Sequence, residues 1–185
     1  KAKMEICDFM NKDNILVING DNDLLSTIPI DRTYRVLKIG SKDDADICIC
    51  NTKDMGEKGI SFRLSKGEEY ADFKIGAPGL HNSMNAALAV GAALCIGIDM
   101  DKAVTGLGNF TNTDKRLHII SARGMKIIDD TYNASPDSMR VALDVLAGIK
   151  SLRKIAILGD MFELGEEEEK YHREVGDYAS QKGID

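Results

Sequence analysis

The chain has 185 residues, 43% of them hydrophobic, and a formal net charge of -6, so it can bury a core, while its length leaves one domain or two small ones open. That negative balance disfavours general adhesion to nucleic acid or an anionic membrane but permits a local phosphate pocket. Cys7, Cys48, Cys50 and Cys95 are scattered; they form no secreted disulfide framework and read as buried thiols. No basic, apolar, cleavable leader is visible, and the least polar run, Met84 to Ile98, is shorter than the roughly 20 residues of a bilayer span. The cytoplasm is the expected location, with no membrane span and no nucleic-acid partner.

Lys1 to Met10 reads as the tail of an amphipathic helix, Ile15 to Ile18 as a short strand, and NGDND after it as a polar turn. Apolar segments at Tyr34 to Ile39, Ala45 to Cys50, Gly59 to Leu64 and Tyr70 to Ile75 predict further strands of a mixed sheet. An alanine-rich helix is expected over Asn82 to Ile98, apolar all round and hence deeply buried, with a shorter helix at Asp101 to Leu107. The polar stretch GNFTNTDKR, Gly108 to Arg116, marks a domain boundary, giving residues 1–113 and 114–185. Beyond it, strands at Leu117 to Ser121 and Met125 to Ile128 precede a helix at Pro136 to Ile149. A strand at Lys154 to Leu158 and a helix from about Glu167 to Lys182 follow, and this alternation predicts a parallel α/β unit.

The segment IIDDTYNASPDSMRVAL, Ile127 to Leu143, runs an apolar strand into polar groups and then into a helix start. At such a strand end Asp130 can accept hydrogen bonds from ribose hydroxyls, and Tyr132 and Asn133 can line a nucleotide cleft; an Asx-turn or helix capping is the competing explanation. Asp129 points away from Asp130 on an alternating strand. In GLHNSMN, the carboxamides of Asn82 and Asn85 can read a base edge, against capping by Asn82 and local packing of Asn85. His81 could touch nucleotide, but a single histidine without companions at ligand spacing makes no metal site. Arg116 could fork onto a phosphate or be a plain surface arginine. The loop LGDMFELG sits at a further strand end, and Glu166 to Glu169 read as a solvated helix start. No G-x-x-x-x-G-K-[ST] loop occurs, and KDMGEKGIS at Lys53 to Ser61 reads as a hairpin connection.

Four stretches, in order, carry a resemblance: LVINGDNDLL from Leu16, GLHNSMNAALAVGAALCIG from Gly79, the Asp130 segment, and ILGDMFELGEEEEKYHREVG from Ile157. They resemble the peptidoglycan Mur ligases, in which a D-x-Y-N/H-x-x-P segment begins the C-terminal domain and faces ATP. The YNASP form and the last stretch favour the branch that adds D-alanyl-D-alanine over those adding single amino acids. The resemblance implies an α/β fold made of the C-terminal part of the central ATPase domain and the first part of a Rossmann-like C-terminal domain. It implies adenine beside Asn85 and Asn82, phosphate at Arg116, ribose at Asp130, and Tyr132, Asn133 and His81 close to the nucleotide. Glu163 and His172 become the catalytic candidates, His172 either ordering the closed site or acting as a general base.

The same resemblance implies an internal fragment, because in the family the phosphate loop, the UDP-sugar-binding domain, the Mg2+-binding acidic residues and a modified lysine lie upstream. The parent activity it implies is ATP- and Mg2+-dependent amide formation between UDP-N-acetylmuramoyl-tripeptide and D-alanyl-D-alanine through an acyl phosphate, with the fragment inactive alone. A related amino-acid ligase of the Mur or folylpolyglutamate type, a nucleotide-binding module without turnover, and a structural fragment that binds nothing are the alternatives. The third residue of the tripeptide and the oligomeric state stay open.

Overall fold

The computed structural model describes residues 2–27 and 33–185; Lys1, where the expected helix tail begins, lies outside them. The chain divides into two compact units. One holds the residues up to Lys53 with Ser61–Ile75 and Leu80–Asn109; the other holds Asp54–Ile60, Gly76–Gly79 and Phe110–Asp185.

The first unit is built on a five-stranded sheet in sequential order: β1 (Ile15–Asn19), β2 (Arg35–Gly40), β3 (Ile47–Asp54), β4 (Ile60–Lys66) and β5 (Glu69–Ile75). β1 and β2 run parallel from Ile15↔Arg35 to Asn19↔Ile39. β2 and β3 are parallel over Ile39↔Ile47 and Gly40↔Cys48, where the Asp46 carboxylate accepts the Lys38 N–H at 2.7 Å. β4 and β5 meet through Gly67 and Glu68, with Gly67 at φ 61°, the left-handed conformation that a two-residue hairpin turn demands. Alternation then sorts the side chains: Ile60, Phe62 and Leu64 are buried, and Phe62 stacks on Phe73 at 5.3 Å. Arg63, on the other face, makes paired 2.8 Å bonds to Asp72. The expected helix tail is a 3-10 segment, Ala2–Phe9, and a short helix, α1 (Asp23–Ser26), is capped by Asn22.

Helix α2 (His81–Cys95) packs on β1 and β2, and α3 (Met100–Gly108) packs on β5. α2 is less buried than its apolar sequence suggests. Ala86, Ala87, Val90 and Gly91 face the core, while Asn85, Ala89 and Ala92 are exposed. Alanine contributes little area, so one stripe suffices to hold the helix. Gly91 allows the close approach: a Cβ there would collide with Ile39 Cδ1 and lie 3.4 Å from Val17 and Leu37.

In the second unit, β6 (His118–Ala122) and β7 (Met125–Asp129) form an antiparallel hairpin. Arg123 at φ 51° and Gly124 at φ 75° supply the two left-handed positions of a type I′ turn. Helix α4 (Pro136–Gly148) starts as expected at Pro136, with Ser135 as N-cap in a reciprocal capping box with Ser138. It packs against α5 (Glu168–Gln181) around Leu143, Met161, Val175, Ala179 and Ile184.

Three expectations for this unit need correction. The first sheet of this unit is an antiparallel hairpin, and the strand expected at Lys154 to Leu158 forms no ladder of its own. Its Ala156 N–H donates to Asp185 O at 2.8 Å and its Lys154 O accepts the Asp185 N–H at 2.9 Å, the pattern of a parallel bridge around Ile155. The parallel relationship is therefore carried by that bridge, and Ile157 is left 97% exposed. Leu117, expected to open a strand, has φ 47° and lies outside β6.

Candidate functional site

The stretch that leaves β7 folds back onto the residues that precede β6. Asp129 Oδ1 accepts the Thr131 N–H at 3.2 Å and its hydroxyl at 2.7 Å, a local turn; the Thr131 hydroxyl, then its amide, hold the Asp129 carboxyl below the usual carboxylate range. Asp130 Oδ1 accepts the Leu117 N–H at 3.0 Å, and the Tyr132 N–H donates to Lys115 O at 3.2 Å. Between these bonds, Arg116 lays its guanidinium 3.9 Å from the centre of the Tyr132 ring. Lys115 at φ 63° and Leu117 at φ 47° flank it, and the Asn112 side-chain N–H donates to Leu117 O at 3.2 Å. Non-glycine residues stay in this region of backbone space when their surroundings over-determine them.

Arg116, Asp130 and Tyr132 are thus brought together within one unit. Asn133 is turned elsewhere, with its Oδ1 on the Ala134 N–H at 2.9 Å. Lys115 contributes the carbonyl that fixes Tyr132; no residue type announces such a role.

On the first unit, the Asn85 side-chain N–H donates to Asn82 Oδ1 at 3.2 Å. The helix N-cap is Leu80, without a side-chain capping bond, so Asn82 lies inside the first turn and the capping alternative does not apply. Asn85 is exposed and His81 half-buried. Side-by-side carboxamides offer donor and acceptor together, the combination a purine edge presents in return. Among the described residues no group of three or more His, Cys, Asp or Glu side chains is placed to hold a metal ion, and no residue here is assigned to one.

The remaining candidates lie on the loop between the 154–158 segment and α5. Glu163 is exposed at φ 61°, just before Gly165 at φ 66°. With Pro136, Asp137, Arg140, Leu164 and Tyr171 it lines a shallow depression of about 440 Å³. His172 turns both ring nitrogens toward backbone groups: its Nε2 accepts the Met161 N–H at 3.0 Å and its Nδ1 lies 2.9 Å from Glu168 O. Arg140, which the sequence did not single out, bonds to Glu174 at 2.8 Å across α4 and α5.

Residues 1–93 match the family description "Mur ligase middle domain", and residues 115–185 match "Mur ligase, glutamate ligase domain". The chain belongs to the Mur ligase family. Among its relatives, the UDP-N-acetylmuramoyl-tripeptide--D-alanyl-D-alanine ligase of Bacillus subtilis is 35% identical over 100% of this chain and 40% of its own length. The enzyme of the same name from Escherichia coli is 32% identical over 100% of this chain and 41% of its own. The chain thus spans about 40% of the length of these curated relatives. Among solved Mur ligases, MurF from Acinetobacter baumannii superposes with a TM-score of 0.88 at 25% identity, over 97% of this chain and 39% of that one. MurF from Thermotoga maritima, crystallised with ADP, shares the fold at a TM-score of 0.79 and 24% identity, over 95% of this chain and 40% of that one. The α/β architecture is that of Mur ligase middle and C-terminal domains.

Proposed function

We propose that this chain is part of an ATP-dependent ligase that joins D-alanyl-D-alanine to a UDP-N-acetylmuramoyl-tripeptide in the cytoplasm. The observation that carries the reading is similarity along the whole chain to ligases bearing that name. Residues 1–113 are proposed as part of the central domain and 114–185 as part of the C-terminal domain.

The side chains suit different parts of a nucleotide. The Asn82 and Asn85 carboxamides match the paired donor and acceptor of adenine, with His81 beside them at the helix start. Arg116, flattened on Tyr132, is shaped to fork onto phosphate. Asp130 is suited to accept hydrogen bonds from ribose hydroxyls, with Tyr132 and Asn133 near the nucleotide. Mg2+, when bound, would neutralise phosphate charge during transfer to the tripeptide carboxylate. The product of that transfer is an acyl phosphate, which the dipeptide amine attacks to give the amide and inorganic phosphate. This chain's share is orientation and exclusion of water, which would otherwise hydrolyse the acyl phosphate. The exposed Glu163 carboxylate is suited to hold the incoming ammonium.

In the full-length protein, phosphate release is expected to require D-alanyl-D-alanine, and Asn85→Ala or Asp130→Ala should each lower kcat/KM about tenfold or more. Dipeptide-independent turnover, or unchanged kinetics in both variants, overturns the reading. A second reading has its own support: a UDP-N-acetylmuramate--L-alanine ligase of Paenarthrobacter aurescens is 33% identical over 68% of this chain. A panel of single amino acids against the dipeptide separates the two.

A further inference from the structure

We propose that His172 is a positioning residue: held as the neutral Nδ1–H tautomer, its ring clasps the Gly159–Leu164 loop to α5 by accepting the Met161 amide at Nε2. The partners dictate the tautomer. The Met161 N–H can only donate, and it lies 3.0 Å from Nε2; the Glu168 carbonyl can only accept, and it lies 2.9 Å from Nδ1. The proton must therefore sit on Nδ1, since the other tautomer would set a donor against a donor.

The place of the contact gives it leverage. Met161 is fully buried in the cluster of Leu143, Val175 and Ala179, whereas its neighbours Asp160, Phe162 and Glu163 are exposed. The loop thus enters the core at Met161, and the amide at that point is satisfied by a side chain eleven residues along the chain. A part-buried N–H left without an acceptor is costly, so the ring fixes both the depth of Met161 and the stance of the exposed carboxylates beside it. Glu163, at φ 61°, is held in a conformation that a loosened loop would leave. The consequence for catalysis rests on the ligase reading above; the clasp itself does not.

Two substitutions divide the ring's functions. In His172→Gln the carboxamide oxygen can take the place of Nε2, while in His172→Asn the amide can reach only the Glu168 side. Nitrogen-15 spectra of the full 185-residue chain are expected to show the Nδ1–H tautomer, and Met161 amide exchange in the Asn and Ala variants is expected to be about tenfold faster or more. The Gln variant should restore most of the protection, with Val175 and Ala179 amides unchanged throughout. An Nε2–H tautomer, Met161 exchange indifferent to all three substitutions, or equal acceleration at Val175 and Ala179 would overturn the clasp. If the spectra agree, the full-length enzyme should lose kcat in the Asn variant and regain it in the Gln variant. Equal kcat in both, with the exchange pattern intact, would leave the clasp standing and remove its catalytic consequence, a failure distinct from that of the ligase reading.

Discussion

The carboxamide pair on α2 and the Arg116–Tyr132–Asp130 group differ in how far their polar atoms are already committed. Asn85 bonds to Asn82 and stands exposed on a helix whose position is set by packing beneath it. Arg116 stacks on Tyr132, and Tyr132 and Asp130 are tied to the backbone of Lys115 and Leu117. A helix can present a recognition group by rigidity alone, whereas an irregular segment must hold itself in place with the same side chains it offers to a ligand. Substitution of the polar groups themselves should therefore be silent for stability at Asn85 and costly around Arg116.

The strongest perturbation attacks the rigid side from below. Gly91→Ala puts a methyl against Ile39 Cδ1 and should cost about 1–3 kcal/mol by overpacking, read as a lowered urea midpoint, with Asn85 shifted in the process. A wild-type midpoint would mean that α2 is not seated by that contact.

Asp130→Ala comes next. It removes the acceptor for the Leu117 N–H and should cost roughly 1–2 kcal/mol, while Asp130→Asn, which keeps an acceptor oxygen, recovers most of the loss. Asn85→Ala in the same assay should stay within about 0.5 kcal/mol; if Asp130→Ala is equally silent, the contrast between the two regions disappears.

Tyr132→Ala should cost about 0.5–1 kcal/mol through loss of the Arg116 stack, since the ring is 65% exposed. Tyr132→Phe should be close to neutral, because the ring face makes the contact.

The smallest effect is on pH. The folded-state pKa of Asp129 is depressed by its bonds from Thr131, so the turn's contribution is complete above the ordinary aspartate value and is lost as pH falls through the folded one. The Thr131 amide shift, followed on acidification, should move at a pH below the usual aspartate range; movement at or above that range would contradict it.

Much of this contrast could be read from the chain and part could not. Pro136 announces a helix start because its missing N–H and fixed φ are local properties, and the β strands of the first unit follow their apolar segments within a few residues. Leu117 was unreadable, since its left-handed backbone answers to a carboxylate thirteen residues away. The segment at Lys154 to Leu158 has the composition of a strand, but a ladder depends on neighbours that composition does not name. His172 became a candidate through the resemblance, either ordering the closed site or acting as a general base; its two backbone partners are known only once Met161 and Glu168 are folded around it.

The Arg116–Tyr132 stack also makes the molecule its own optical instrument. The chain contains no tryptophan, so Tyr132→Trp would place its single indole under a guanidinium in the segment that begins the second unit's hairpin. Its emission would then report, without an added label, the lifting of Arg116 away from the ring.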